Sequence, residues 1–151
     1  MYKIAAKRPK NFDYDVIIVG SGAGGGVAAH LLARAGKSVA IIEKAMAGGE
    51  CPNYGCVPTK ALLHAAELYQ SALSAPKYGV YTHSATFNFK SVQSWKDTAV
   101  LRTGTSEGKR VFTSEGVDYI KGMAHFLSPW QISLGKTRLT AKKFIIAAGT
   151  H

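Results

Sequence analysis

Four consecutive β-branched residues, Val16 to Val19, run directly into GSGAGGG at positions 20 to 26. An apolar run without alternation suits a strand covered on both faces. A chain that must then turn sharply and enter a helix has few ways to do so without glycine. Gly20 permits the tight turn, Gly22 leaves the backbone open to a close neighbour, and Gly25 lets the helix pack closely on the strand. Val27, Leu31 and Leu32 fall at helical spacing, Gly36 closes the helix, and Ser38 to Ile42 form a second buried strand. Together these make one βαβ unit, which commits the domain to an α/β architecture with a parallel sheet.

The GxGxxG spacing of Gly20, Gly22 and Gly25 carries little weight alone. Here it follows a strand, opens a helix, and is followed by Glu43, eighteen positions past Gly25, at the end of the next strand. In that setting Gly22 gives a pyrophosphate access to the backbone. The helix start at Ala23 and Gly24 offers N–H donors and the positive end of the helix dipole. Glu43 accepts hydrogen bonds from a ribose, which favours an unphosphorylated adenosine over one carrying a 2′-phosphate. The plainer alternative is a flexible glycine loop with a surface glutamate.

The only two cysteines stand in CPNYGC, residues 51 to 56. A disulfide needs its Cα atoms within roughly 4.4–6.8 Å, whereas five extended residues span about 17 Å, so joining them requires a coiled segment. A regular helix would leave the side chains more than about 90° apart around its axis. An irregular turn through Pro52, Asn53 and Gly55 could bring the sulfurs together, and short exposed loops of this kind hold labile disulfides. Cys56 also stands just before a helix led by Pro58, where the helix end favours an anionic sulfur. Both thiols lie beyond the carboxyl end of the second strand, where parallel sheets bind ligands. A dithiol there implies electron exchange with a bound dinucleotide, and a flavin can bridge hydride and thiol chemistry. A structural bridge and a zinc site are the alternatives. Cys51, Cys56 and His64 fit no common finger spacing and lack a fourth ligand, so no metal site is expected.

Composition narrows the function classes. With 46% hydrophobic residues, 151 residues suffice for about one globular domain. The glycines within Val16 to Ala33 argue against a membrane span. A formal charge of +10 invites nucleic acid, but the bases are scattered without interleaved aromatics, so neither nucleic acid nor membrane is an expected partner. The start MYKIAAKRPK lacks a secretory apolar run, and two cysteines make no disulfide scaffold, so a reducing, cytoplasmic setting is expected.

The remaining chain reads more coarsely. Residues 1–14 form a basic arm. Leu62, Ala65, Ala66, Tyr69 and Leu73 fall on one face of a helix from about Pro58 to Ser74. YGVYTHSATFNFK is expected as a loop with a short strand, followed by one long helix from about Lys90 to Thr113. VDYIKG, HFLSPWQISL and KTRLT suggest a small antiparallel meander, and KFIIAAGTH a further buried strand. His30, His64, His83, His125 and His151 show no acidic partner in the sequence and read as surface or packing residues.

GSGAGG, Glu43, GGECPNYGCVPTK and the closing FIIAAGT together resemble the N-terminal part of the FAD domain in class I pyridine nucleotide-disulfide oxidoreductases, over residues 13 to 151. That family includes dihydrolipoamide dehydrogenase, glutathione reductase and mercuric reductase. The resemblance implies a Rossmann-like βαβ FAD-binding domain over residues 15–151, with a parallel sheet and a small antiparallel β-meander. It implies that Cys51 is the thiol that attacks substrate, that Cys56 is the charge-transfer thiol against the flavin, and that Lys60 lies near the isoalloxazine. Lys44, Gly49, Glu50, Met123, Ala124, Ala148 and Gly149 join the cofactor-binding set on the same basis. It further implies NAD(P)H as electron donor and a small-molecule disulfide, lipoamide or Hg(II) as substrate. Family members are several hundred residues long and homodimeric, so this chain is expected to be a piece that cannot turn over alone. Glu50 replaces the usual Thr, and Ala148 replaces the Thr of an ATG turn. A non-catalytic FAD- or ADP-binding module is the alternative function.

Overall fold

In a computed structural model, residues 7–150 are described, so Lys3 of the basic arm and His151 lie outside the described residues. The chain divides into two compact units, one of residues 1–49 with 106–151 and the other of residues 50–105.

The first unit is built on the strands β1 (Tyr14–Val19), β2 (Val39–Glu43), β3 (Val117–Lys121), β4 (His125–Ser128), β5 (Gln131–Leu134) and β6 (Thr137–Ile146). They form one sheet in the order β3-β2-β1-β6-β5-β4. β3, β2, β1 and β6 run parallel, whereas β4 and β5 are antiparallel to their neighbours. Helix α1 (Ala23–Arg34) crosses from β1 to β2.

The sheet is covered on both faces, which is why β1 and β2 lack alternation. Ile18, Ile41, Val39 and Val117 pack with Ala29 and Leu32 of α1 and with Phe112. On the other face Ile17, Ala40 and Ile42 meet Ile132 and Leu134 of the antiparallel strands. This is the Rossmann-like α/β arrangement with short antiparallel strands that the glycine turn implied.

Several expectations need correction. VDYIKG is not part of the meander: as β3 it extends the parallel ladder beside β2. KTRLT and KFII are one continuous strand. Thr137–Thr140 of β6 pair antiparallel with β5, and Ala141–Ile146 pair parallel with β1. The change of partner is fixed by Asp13, whose carboxylate accepts from the Thr140 N–H at 2.7 Å and its hydroxyl at 2.8 Å. The hairpin turn between β5 and β6 is the two-residue Gly135-Lys136, with Gly135 at φ 57°, a position such turns reserve for glycine.

On α1, Val27 and Leu31 point outward, each 60% exposed. The sheet instead receives Gly25, Ala29 and Leu32, because the close approach set by Gly25 leaves room only for small side chains near the helix start. His30 does have an acidic partner: its Nδ1 lies 2.9 Å from Glu115. In the described part of the basic arm, the Arg8 guanidinium lies 5.7 Å from the Phe12 ring and 5.1 Å from the Trp130 ring.

The second unit holds one short helix followed by a helical pair. α2 (Glu50–Asn53) leads to α3 (Cys56–Ser74) and, after a loop, to α4 (Phe89–Leu101). The expected short strand before α4 is absent among the described residues, and Asn88 caps α4 by accepting from the Ser91 N–H at 3.0 Å. On α3, Leu62, Ala65 and Tyr69 are half-buried, but Ala66 and Leu73 are exposed. The expected Lys90–Thr113 helix is broken: α4 ends at Leu101, Gly104 takes φ 74°, and α5 (Gly108–Ser114) follows in the first unit. No described helix is long and apolar enough to cross a membrane.

The Tyr14 hydroxyl donates to Asp118 on β3 at 2.8 Å. Burial first, then that hydrogen bond and the carboxylate charge, push the phenol up to about 12. A raised folded value means that the contribution is complete below the usual 10.0 and disappears as pH rises through about 12. Tyr14→Phe is expected to cost about 1 kcal/mol at neutral pH and to remove this alkaline loss, as read by urea denaturation at pH 7 and across the window from 10 to 12.

Candidate functional site

The carboxyl ends of the parallel strands form one rim. Gly20 follows β1 with φ 101°, and its N–H donates to the Ile42 carbonyl at 2.8 Å. The Ala147 N–H, just past β6, donates to the Val19 carbonyl at 2.8 Å, and the Gly122 N–H, past β3, donates to the Glu43 carbonyl at 2.9 Å. The strand order turns back between β1 and β6, so this rim is the switch point at which open α/β sheets bind ligands.

The glycines divide by what surrounds them. A side chain on Gly20 would overlap the Ala147 carbonyl, and one on Gly25 would overlap the Gly20 carbonyl. At Gly22 and Gly24 it would meet nothing within 4 Å. The loop is therefore packed beneath and open above. Helix α1 begins at Ala23 with Gly22 as its N-cap, no capping side chain and no acidic residue in its first turn. Open backbone, helix N–H groups and absent negative charge fit a pyrophosphate.

Glu43 is buried at the end of β2. Its carboxylate accepts from the Ser21 N–H at 3.0 Å, the Ser21 hydroxyl at 2.6 Å and the Ala45 N–H at 2.7 Å. Burial raises the carboxyl, but the Ser21 hydroxyl, the two N–H groups and the Lys121 charge outweigh it, and the net direction is down. Three of about four acceptor directions are thus committed to its own loops. Ser21, unmarked in the GxGxxG spacing, is the residue that joins these pieces. Its hydroxyl also accepts from the Gly48 N–H at 3.2 Å. Gly49, at φ 70°, backs onto Gly22, where a side chain would come within 2.8 Å of its Cα.

The structure thus gathers Gly20, Gly22, Ala23, Gly24, Gly25, Glu43 and Gly49 around one turn. Lys44 and Met123 are exposed at the ends of β2 and β3, Ala124 packs beneath the rim, and Ala148 and Gly149 are exposed beyond β6. The domain is consistent with FAD binding.

The thiols belong to the second unit. Cys51 lies in α2 and Cys56 is the first residue of α3, two positions before Pro58, where the sequence placed the start. Both are exposed and unbridged, so the turn holds them as a dithiol rather than as the labile disulfide it could also form. The Glu50 carbonyl accepts from the Tyr54 and Gly55 N–H groups, each at 2.8 Å, which coils the intervening turn. The Cys51 thiol is raised, first because it hydrogen bonds to the Cys56 sulfur, with the Lys60 ammonium acting weakly the other way. The Asn53 side-chain oxygen Oδ1 accepts from the Thr105 hydroxyl at 3.0 Å. Thr105 was invisible to sequence reasoning, since it stands 52 positions away in a polar stretch without periodicity. Among the described residues no cluster of three His, Cys, Asp or Glu side chains could hold a metal ion.

The family model described as pyridine nucleotide-disulphide oxidoreductase matches residues 14–151. The dihydrolipoyl dehydrogenase of Bacillus subtilis (strain 168) is 36% identical over 142 residues, covering 91% of this chain and 30% of that protein. That of Staphylococcus aureus is 41% identical over 114 residues, covering 75% and 24%. The mercuric reductase of Bacillus cereus is 32% identical over 139 residues, covering 92% and 22%. The chain spans less than a third of the length of each.

Gly25→Ala is expected to lower stability by about 1–3 kcal/mol, because a backbone carbonyl cannot yield to the added methyl, whereas Gly22→Ala leaves thermal unfolding unchanged. Glu43, depressed in the fold, contributes above the usual 4.5 and loses that contribution as pH falls through its lower folded value. In Glu43→Gln the decline of stability below pH 4.5 is accordingly shallower, as read by chemical denaturation across the acid range.

Proposed function

This chain belongs to the pyridine nucleotide-disulphide oxidoreductase family, and we propose that it is the thiol- and FAD-bearing part of a flavoprotein disulfide reductase. The observation that carries this reading is the pair of exposed, unbridged thiols placed on one coiled turn that the Glu50 carbonyl closes. A structural bridge would have no need of exposure, and a metal site would need further ligands.

In this reading Cys51 attacks a substrate disulfide. A bond forms between the Cys51 sulfur and one substrate sulfur, and the other substrate sulfur leaves as a thiolate. The Cys51 proton passes to that departing thiolate, and the Lys60 charge favours the attacking anion. Cys56 then attacks the Cys51 sulfur, closes the Cys51–Cys56 disulfide and releases the second substrate thiol. Two S–H bonds are lost by the protein and two are gained by the substrate, so the pair is oxidised by two electrons. With Hg(II) the same two sulfurs act as soft ligands.

FAD, when bound, supplies the two-electron link from NAD(P)H that reopens the disulfide. Gly22, Ala23, Gly24 and Gly25 would hold its pyrophosphate, and Glu43 with Lys44 the ribose end. Gly49, Glu50, Lys60, Met123, Ala124, Ala148 and Gly149 complete the proposed contacts. The substrate is a small disulfide, lipoamide or Hg(II), the complete enzyme is a homodimer, and its setting is cytoplasmic and reducing. Dihydrolipoyl dehydrogenases and a mercuric reductase among the relatives support these substrate classes alike.

The test uses the full-length protein that carries this sequence. Two-electron reduction is expected to produce a long-wavelength absorbance band that Cys56→Ser abolishes, while Cys51→Ser keeps the band and loses turnover. Retention of FAD with a spectrum indifferent to Cys56→Ser would leave a non-catalytic FAD- or ADP-binding module. Turnover with lipoamide, glutathione disulfide and Hg(II) in parallel assigns the substrate.

A further inference from the structure

We infer that Thr105 is a positioning residue for the thiol pair: its hydroxyl, donated to the Asn53 side chain between Cys51 and Cys56, holds the turn in a shape from which the two sulfurs can join. The inference rests on the redox reading of the pair and adds a residue to it.

Backbone bonds close the turn from within. The Glu50 carbonyl takes the Tyr54 and Gly55 N–H groups, and the Gly55 carbonyl takes the Thr59 N–H at 3.1 Å as α3 begins. Such bonds shape a short segment but form readily in alternative turns as well. The Asn53–Thr105 bond is different in kind. It comes from a segment 52 positions away, is partly buried, and uses the only hydrogen the Thr105 hydroxyl can donate. Thr105 follows the break at Gly104, and Thr103 closes the preceding turn by donating to the Val100 carbonyl at 2.6 Å. The donor is therefore presented from an anchored turn.

Closing a disulfide is an intramolecular reaction whose equilibrium depends on how often the open form already has the closing geometry. The cross-linked form is constrained by its own bond. Removing the Thr105 clamp therefore loosens mainly the dithiol and shifts the balance toward it. One partly buried neutral hydrogen bond corresponds to about a fivefold change.

The measurement is the equilibrium of the Cys51 and Cys56 thiols with glutathione disulfide, which gives the Cys51–Cys56 disulfide and two glutathione thiols. The chain is incubated in glutathione buffers of graded ratio, acid-quenched, alkylated and weighed by mass spectrometry. Thr105→Val is expected to lower the equilibrium constant about fivefold, and Thr105→Ser to restore it. Thr98→Val, which removes a hydroxyl bond to the Ser94 carbonyl on α4, is expected to leave it unchanged. If Thr105→Val does not fold, as judged by circular dichroism, Asn53→Ala removes the same bond and must lower the constant at least as much. An unaltered constant in the variant used, or Thr105→Ser behaving as Thr105→Val, overturns the inference while leaving the redox pair intact. A wild-type chain that forms no internal disulfide at any ratio overturns both.

Discussion

A buried carboxylate holds the first turn of this protein in place. Glu43 sits at the end of β2, and its oxygens gather the Ser21 N–H and hydroxyl from the turn after β1 and the Ala45 N–H from its own strand end. A charge taken out of water is tolerable only when its lone pairs are satisfied, and here the backbone of two loops does the satisfying. The cost of leaving any of those bonds unmade is what keeps the glycine turn from wandering. Ser21 then passes the constraint to Gly48, and Gly49 is brought against Gly22. Loops that would otherwise be mobile are therefore shaped before any ligand arrives, which lowers the ordering cost of binding.

The two kinds of chemistry are divided between the two compact units. Residues 1–49 with 106–151 supply open backbone and helix N–H groups suited to phosphate. Residues 50–105 supply two thiols on a coiled turn at the head of a nineteen-residue helix. The first depends on an absence of side chains and the second on two sulfurs of matched reach. Each can be recognised within its own unit, since both rest on short-range geometry.

That short range also explains what was legible in the sequence. The βαβ unit could be read because each glycine in it answers a local steric demand, and the thiol turn because Pro52, Asn53 and Gly55 allow few regular conformations. Val27 and Leu31 were legible as helical but not as outward-facing, because helical spacing reveals a stripe without saying which side the sheet is on, and Gly25 had already decided that. The break at Gly104 was missed because apolar residues punctuate the polar stretch on both sides of it. β3 looked like a meander strand because a five-residue apolar run does not reveal whether its partner runs parallel or antiparallel. Ser21 and Thr105 act through hydroxyls whose acceptors lie 22 and 52 positions away, and no spacing rule reaches that far.

The strand β6 serves two ladders without interruption, with Leu134 facing Thr137 across the two-residue turn at Gly135 and Ile146 facing Val19 at the far end. Side chains along a strand alternate faces, so a slip of one residue inverts the whole strand. Phe144 and Ile145, now on opposite faces of the sheet, would trade places, and the Ala147 carbonyl would leave its seat beside Gly20. The hairpin at Gly135 thus acts as the indexing stop for a rim twelve residues downstream, and an error in that small turn would be written into the dinucleotide cradle itself.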